Sequence, residues 1–176
     1  MRTIIVGCGR VGAGLAETLS RSGHEVTIID SNTDAFSRLE PDFPGTAIRG
    51  DGTDEDVLRR AGAEGIDWFF ALTEGDNRNV LAAQMASDSL GARNVVAKVN
   101  DPVRAQAYTA LGVATICRTT MLVDALLRHA GVGESGPPPG VSAPTRPHHA
   151  RRDEGNGRRP SGATELDPAR GRREES

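Results

Sequence analysis

The stretch TIIVGCGRVGAGLAETLSRSGHEVTIID, residues 3–30, contains a complete strand–helix–strand unit. TIIV (3–6) reads as a buried strand, and a helix with Val11, Leu15 and Leu19 on one face follows it. Gly23 ends that helix, and EVTIID (25–30) is the second strand. Between the first strand and the helix, Gly7, Gly9 and Gly12 stand in the spacing G-x-G-x-x-G. In this context each glycine has a physical task. Gly7 permits a tight turn, Gly9 lets a pyrophosphate approach the backbone, and Gly12 lets helix and strand pack closely. The helix start then aims unpaired N–H groups and the positive end of its dipole at phosphate oxygens. Asp30, closing the second strand, can accept hydrogen bonds from ribose hydroxyls. A carboxylate there repels a 2′-phosphate, which favours NAD over NADP.

Within the loop two residues keep open readings. Arg10 either reaches a phosphate oxygen or is a solvated first-turn arginine. Cys8 is a redox-sensing thiol or a small residue that fills space.

The alternation continues downstream. Residues 33–40 look helical, Pro41 and Pro44 interrupt, and TAIR (46–49) is a third strand. Thr53 with Asp56 reads as a capping box for a short helix through Arg60. DWFFAL (67–72) is the fourth strand, followed by a helix from Asp76 to Leu90 with Leu81 and Met85 inward. NVVAKV (94–99) is the fifth strand, and Asp101-Pro102 opens a helix to Leu111. VATIC (113–117) is the sixth, and a last helix runs from about Thr120 to Ala130. Strands and helices in this order predict a doubly wound, Rossmann-like parallel sheet of six strands, with helices on both faces. The last helix, with Met121, Leu122, Val123, Ala125, Leu126 and Leu127, has no clean polar face and needs cover on several sides.

Further candidate site residues fall at strand ends. Asp51, in Gly50-Asp51-Gly52-Thr53-Asp54, shares the sheet edge of Asp30 and touches the adenosine half of a ligand, or is only a turn and helix-start acid. Thr73 follows the fourth strand. Lys98, the single lysine, sits near the end of the fifth, where phosphate contact, a structural ion pair and plain exposure are all open.

Composition divides the chain at Val132. Before it, 59 of 132 residues are apolar; after it, 6 of 44 are, together with seven of the ten prolines. The first part can bury a core, and the second cannot repay its ordering entropy. The expectation is a nucleotide-binding domain over residues 1–132 and a disordered Pro/Gly/Arg-rich tail over 133–176. Thirteen basic and 17 acidic groups in the first part argue against nucleic acid as a partner. Two distant cysteines fit a reduced interior, and His148-His149 lack metal spacing. No window has the roughly 18 to 20 apolar residues of a membrane span, and the N-terminal apolar run is far short of a signal sequence. A soluble chain is expected.

Taken together, residues 4–30, the segment RGDGTDEDVLRRAGAEGIDWFFALTEGDNRNVLAAQMA (49–86), VVAKVNDP (95–102) and LGVATICRTTML (111–122) resemble the TrkA-type, or RCK, N-terminal domain. The resemblance spans residues 2 to about 131. Its most particular marks are the G-D-x-T-D segment and the D-x-x-N-V-L-A-A stretch from Asp76 to Ala83. It implies a cytoplasmic, non-catalytic regulatory subunit that binds NAD(H), or alternatively ATP/ADP, and docks on a potassium transporter or channel at the inner face of the plasma membrane. It assigns Gly7, Gly9, Arg10, Val11 and Gly12 to phosphates and Asp30 to the adenosine ribose. Asp51, Gly52 and Thr53 go to the adenine end and Thr73 to the cleft edge; Lys98 joins the cofactor-binding candidates on its strand-end position alone. It also implies a homodimer through helix 121–131. Two features depart from the family pattern. GESGPPPG (133–140) stands where members begin a second small domain, and Arg118-Thr119-Thr120 stands where ATP-using members place a metal-binding glutamate. The competing function is an NAD-dependent oxidoreductase. It needs a proton donor and a substrate pocket, and no Tyr-x-x-x-Lys pair is present because Gly112 follows Tyr108 by four.

Overall fold

The computed structural model describes residues 1–132 and the backbone of Val141 and Ser142. Six parallel strands run β1 (Arg2–Val6), β2 (Glu25–Asp30), β3 (Thr46–Arg49), β4 (Trp68–Ala71), β5 (Asn94–Val99) and β6 (Thr115–Cys117). Their order in the sheet, β3-β2-β1-β4-β5-β6, reverses direction at β1. That reversal makes β1 and β4 the switch point, beside which ligands of open α/β sheets bind. The expected Rossmann-like sheet is what the chain forms.

Side-chain alternation builds a core on each face. Ile4, Val6 and Phe69 pack with Leu58, Ile66 and Ala82 on one side; Ile5, Val26 and Ile28 pack with Ala13 and Ala16 on the other. Five helices flank the strands: α1 (Arg10–Arg21), α2 (Glu55–Arg60), α3 (Asp76–Asp88), α4 (Pro102–Ala110) and α5 (Arg118–His129). Asp101 caps α4 by accepting from Val103 N and Arg104 N, with Pro102 at the first helical position, as the sequence predicts.

Several local expectations are corrected. In α1 the buried residues are Gly12, Ala13, Ala16 and Ser20, and Val11 is exposed. The helix lies so close to β1 that only small residues fit between them. In α3 the inner face is Asn79, Val80, Ala82, Ala83 and Ala86, so Leu81 points outward. Residues Thr33–Arg38 form a 3₁₀ helix capped by Asn32. Asp54, rather than Thr53, caps α2, because its carboxylate accepts from Asp56 N and Val57 N. Helix α5 begins directly at Arg118, and none of its residues is buried.

A seventh strand, β7 (Val141–Ser142), joins β6 in antiparallel pairing. Those two residues lie in the expected tail. Pairing them gives the backbone groups of an otherwise open edge a partner. The rest of the expected disordered tail lies outside the described residues.

Candidate functional site

A cleft of about 680 Å³ lies along the C-terminal edge of the sheet, with the glycine loop at its centre. The loop is fixed by backbone geometry. Gly7 has φ +107°, and a Cβ there would lie 2.9 Å from Leu72 C and Thr73 N. Its N–H donates to Ile29 O at 2.7 Å, so the turn is tied to β2. A Cβ on Gly12 would overlap the Gly7 carbonyl oxygen, while one on Gly9 would meet nothing within 4 Å. Close packing therefore governs Gly12, and open space in the cleft governs Gly9. Gly9 caps α1 without any side-chain acceptor, which leaves first-turn N–H groups directed at the cleft.

Of the eleven candidate residues, nine line the cleft. Gly12 and Thr53 do not. Gly12 is buried beneath the loop, and Thr53 is spent on Asp51, donating to Oδ1 from its N–H at 2.9 Å and from its hydroxyl at 2.7 Å. Those two bonds hold the Asp51 carboxyl below the usual carboxylate range, so it is ionised at neutral pH. Gly52 lines the wall because backbone crosses Val6 there, and a Cβ would overlap the valine side chain.

Asp30 has a double position. Its Oδ2 accepts from Cys8 N at 2.7 Å and its Oδ1 from Asn32 N at 2.9 Å. One carboxylate thus pins the glycine loop and faces the cleft with its remaining lone pairs. Cys8 itself is buried, and burial together with the charge of Asp30 pushes its thiol up to about 11. Its Sγ lies 3.3 Å from Ala35 O, the position of a small packing residue beneath the loop.

Arg10 lines the cleft from the first turn of α1. Lys98 is buried at the end of β5, and its Nζ lies 3.3 Å from Glu74 Oε1. Sequence reasoning missed Arg38, Glu74 and Arg78 as wall residues, and noted Arg118 only as replacing a glutamate. None belongs to the glycine motif; Glu74 and Arg118 follow strand ends, and Arg38 and Arg78 come from the β2–β3 and β4–β5 crossovers.

It also missed Asn79, which is fully buried. Its Oδ1 accepts from Thr73 N at 2.8 Å and from Thr73 Oγ1 at 2.6 Å; its Nδ2 donates to Thr73 O and Lys98 O, both at 2.9 Å. Asp76, one turn earlier, accepts from Asn100 N and Nδ2, both at 2.9 Å. The D-x-x-N stretch therefore stitches α3 to the ends of β4 and β5. Asp76 and Asn79 shape the cleft without lining it, while Arg78 between them lines it.

The sequence model of the TrkA-N domain matches residues 3–119. The chain belongs to the TrkA-N domain family. Over 128 residues it is 42% identical to the Trk system potassium uptake protein TrkA of Streptomyces coelicolor, a match covering 73% of this chain and 57% of that relative. It thus spans little more than half of that relative's length. The TrkA-N domain of the Escherichia coli inner membrane protein ybaL superposes with a TM-score of 0.65 at 18% identity, covering 73% of this chain and 95% of that one. The GsuK channel bound to NAD superposes at 0.58 and 20% identity, over 72% of this chain and 23% of that one. At such identities the likeness is one of fold.

Proposed function

We propose that the TrkA-N domain of this chain is an adenine-nucleotide sensor, and that it serves as a non-catalytic regulatory subunit of a potassium uptake system. The observation that carries this reading is the charge of the cleft. Residues 1–132 have an excess of acids, yet five basic residues line the cleft (Arg10, Arg38, Arg78, Lys98, Arg118) against Asp30, Asp51 and Glu74. A basic cleft on an acidic domain concentrates anions, and the glycine loop supplies N–H donors for phosphates.

NAD(H) is the leading ligand. Gly7, Gly9, Arg10, Val11 and Gly12 shape and line its pyrophosphate site, and Asp30 receives the adenosine ribose, with Asp51 and Gly52 beyond it. The NAD-bound GsuK channel, alike in fold, supports this assignment. ATP or ADP is the second reading, favoured by cations in excess of what one pyrophosphate needs.

The link to potassium uptake is supported by the Streptomyces relative, a Trk system potassium uptake protein. Against an oxidoreductase, the described cleft wall has no histidine or tyrosine to donate a proton. Tyr108 packs instead beside Ala83, Ala97 and Val113. Among the described residues no helix is long and apolar enough to cross a membrane, and no cluster of His, Cys, Asp and Glu is arranged for a metal. The partner is a membrane potassium transporter or channel, reached from its cytoplasmic side. A homodimer built through α5 carries the nucleotide state to it.

Affinities for NADH, NAD, ADP and ATP, measured on one purified protein, test the reading. Micromolar binding of at least one is expected. Failure of all four to bind removes the sensor from the proposal.

A further inference from the structure

Strands β2, β1 and β4 stand side by side in the sheet, and their C-terminal ends differ in hydrogen-bonding character. Asp30, at the end of β2, brings carboxylate acceptors. The glycine loop after β1 leaves first-turn N–H donors of α1 without a side-chain cap. Thr73, after β4, brings a hydroxyl, a group that in general both donates and accepts. It lines the cleft and abuts the loop, since a Cβ on Gly7 would lie 2.9 Å from Thr73 N.

Asn79 removes that ambiguity. Its amide has one orientation: Nδ2 donates to Thr73 O and Lys98 O, both at 2.9 Å, and a reversed amide would set its oxygen against those two carbonyls. Oδ1 therefore faces Thr73, where it accepts from the N–H at 2.8 Å and from the hydroxyl at 2.6 Å. An amide oxygen has no proton to give, so the hydroxyl proton belongs to this bond. Asn79 is fully buried, and water does not compete for it. Gly75 N approaches the same Thr73 Oγ1 only at 3.4 Å, beyond the range of a good N–H···O bond. The threonine oxygen thus keeps lone-pair capacity for a ligand and no proton. Neither Asn79 nor Thr73 titrates, so this polarity does not change with pH.

We propose that Asn79 is a specificity-determining, positioning residue: by holding the Thr73 proton it makes the β4 end of the cleft an acceptor for a sugar hydroxyl of the ligand. The inference rests on the nucleotide reading above and deepens it. Across β2, β1 and β4 the edge then runs acceptor, donors, acceptor. A ligand that matches it runs hydroxyl, diphosphate, hydroxyl, which is the order ribose–pyrophosphate–ribose. An unprotonated phosphate oxygen finds no donor at the Thr73 hydroxyl, whereas a second ribose finds an acceptor. Asn79 thus selects the chemistry of the ligand's second half from beneath the wall, without touching it.

The test compares ADP-ribose with ADP by isothermal titration on the full chain, for the unmodified protein, Thr73→Val, Asn79→Ala and the double variant. The two ligands share adenosine and diphosphate, and only ADP-ribose carries a second sugar. Thr73→Val is expected to lower ADP-ribose affinity about three- to tenfold, the range of one neutral hydrogen bond, and ADP affinity less than about twofold. Asn79→Ala lowers the ADP-ribose-over-ADP ratio by a smaller factor, about two- to threefold, because the freed hydroxyl still accepts in some of its orientations. In the double variant the ratio falls no further than in Thr73→Val, since both substitutions act through one hydroxyl. An Asn79 that served the fold alone would lower the melting temperature in Asn79→Ala and leave the ratio where it was, which overturns its role. Thr73 is half-buried, so Thr73→Val keeps the fold even if Asn79→Ala does not, and it then decides the proposal. If ADP binds and Thr73→Val leaves the ratio unmoved, the acceptor at Thr73 is wrong and the nucleotide reading stands. If neither ligand binds the unmodified protein, both fail together.

Discussion

Helices α1 and α5 are each twelve residues long, and they meet the sheet in opposite ways. Helix α1 buries Gly12, Ala13, Ala16 and Ser20 against β1 and β2. Helix α5 buries no residue and leaves Leu122, Val123, Leu126 and Leu127 exposed. Small residues are inside the first helix and large apolar ones outside the second. Apolar content alone thus does not say which helix holds the fold together. Closeness of approach does: α1 lies on the sheet because Gly12 has no side chain, and α5 carries apolar area that its own domain does not use.

The largest effect should come from violating that closeness. Gly12→Val places methyl groups against the Gly7 carbonyl, which is backbone and cannot yield. A loss of about 3 kcal/mol, the upper range for overpacking, is expected in chemical denaturation. Leu126→Ala, on a residue 61% exposed, should change stability by less than about 0.5 kcal/mol. Equal losses at the two sites would break the contrast between the helices.

Gly9→Val probes the same helix three residues earlier and should behave differently. Nothing lies within 4 Å of its Cβ, so the fold tolerates the side chain at a cost below about 1 kcal/mol, mostly that of a poorer cap. The valine instead fills the space proposed for pyrophosphate. Isothermal titration should show NADH and ADP affinity reduced about tenfold or more. A folded Gly9→Val protein that binds both as before would detach the loop from ligand binding.

Asp30→Ala should weaken NADH and ADP by roughly 1 to 3 kcal/mol, the range for a charged hydrogen bond. The same substitution removes the acceptor of Cys8 N and Asn32 N, so the melting temperature falls as well. Binding that is untouched while stability drops would leave Asp30 a loop anchor and nothing more.

Much of this was legible in the sequence. The β2, β3 and β5 spans, the glycine loop and the Asp101-Pro102 start of α4 follow from local chemistry, because each depends on neighbours within a few residues. What was misread depends on depth. Val11 and Leu81 have the period of core residues, but α1 and α3 lie too near the sheet for them, and alanines take the inner positions. Asp54 took the cap assigned to Thr53, because that threonine is held by Asp51. At the site, the glycines and Asp30 were visible through their spacing. Arg38 and Arg78 were not, since two separate crossovers deliver them to one edge; Arg118, noted only for the glutamate it replaces, reaches that edge from the start of α5. Asn79 was visible as part of a family stretch, but its four hydrogen bonds to Thr73 and Lys98 have no signature in sequence.

A small expected effect on the monomer is also the sharpest test of α5. Leu122 and Leu126 lie one turn apart and are both exposed. Aspartate at both positions removes no contact with the described core, so monomer stability should move by no more than about 1 kcal/mol for the pair. If α5 is the dimer contact, the same pair of charges is carried into an apolar interface, where an unpaired carboxylate is far costlier than the lost area at about 25 cal/mol for each Å². Assembly then fails while folding and nucleotide affinity persist. Sedimentation should show a dimer for the unmodified protein at tens of micromolar and a monomer for Leu122→Asp/Leu126→Asp. A monomer in both cases would leave the apolar face of α5 without a self-partner and remove the dimer as the route from cleft to membrane. A dimer in both would move the contact to another face.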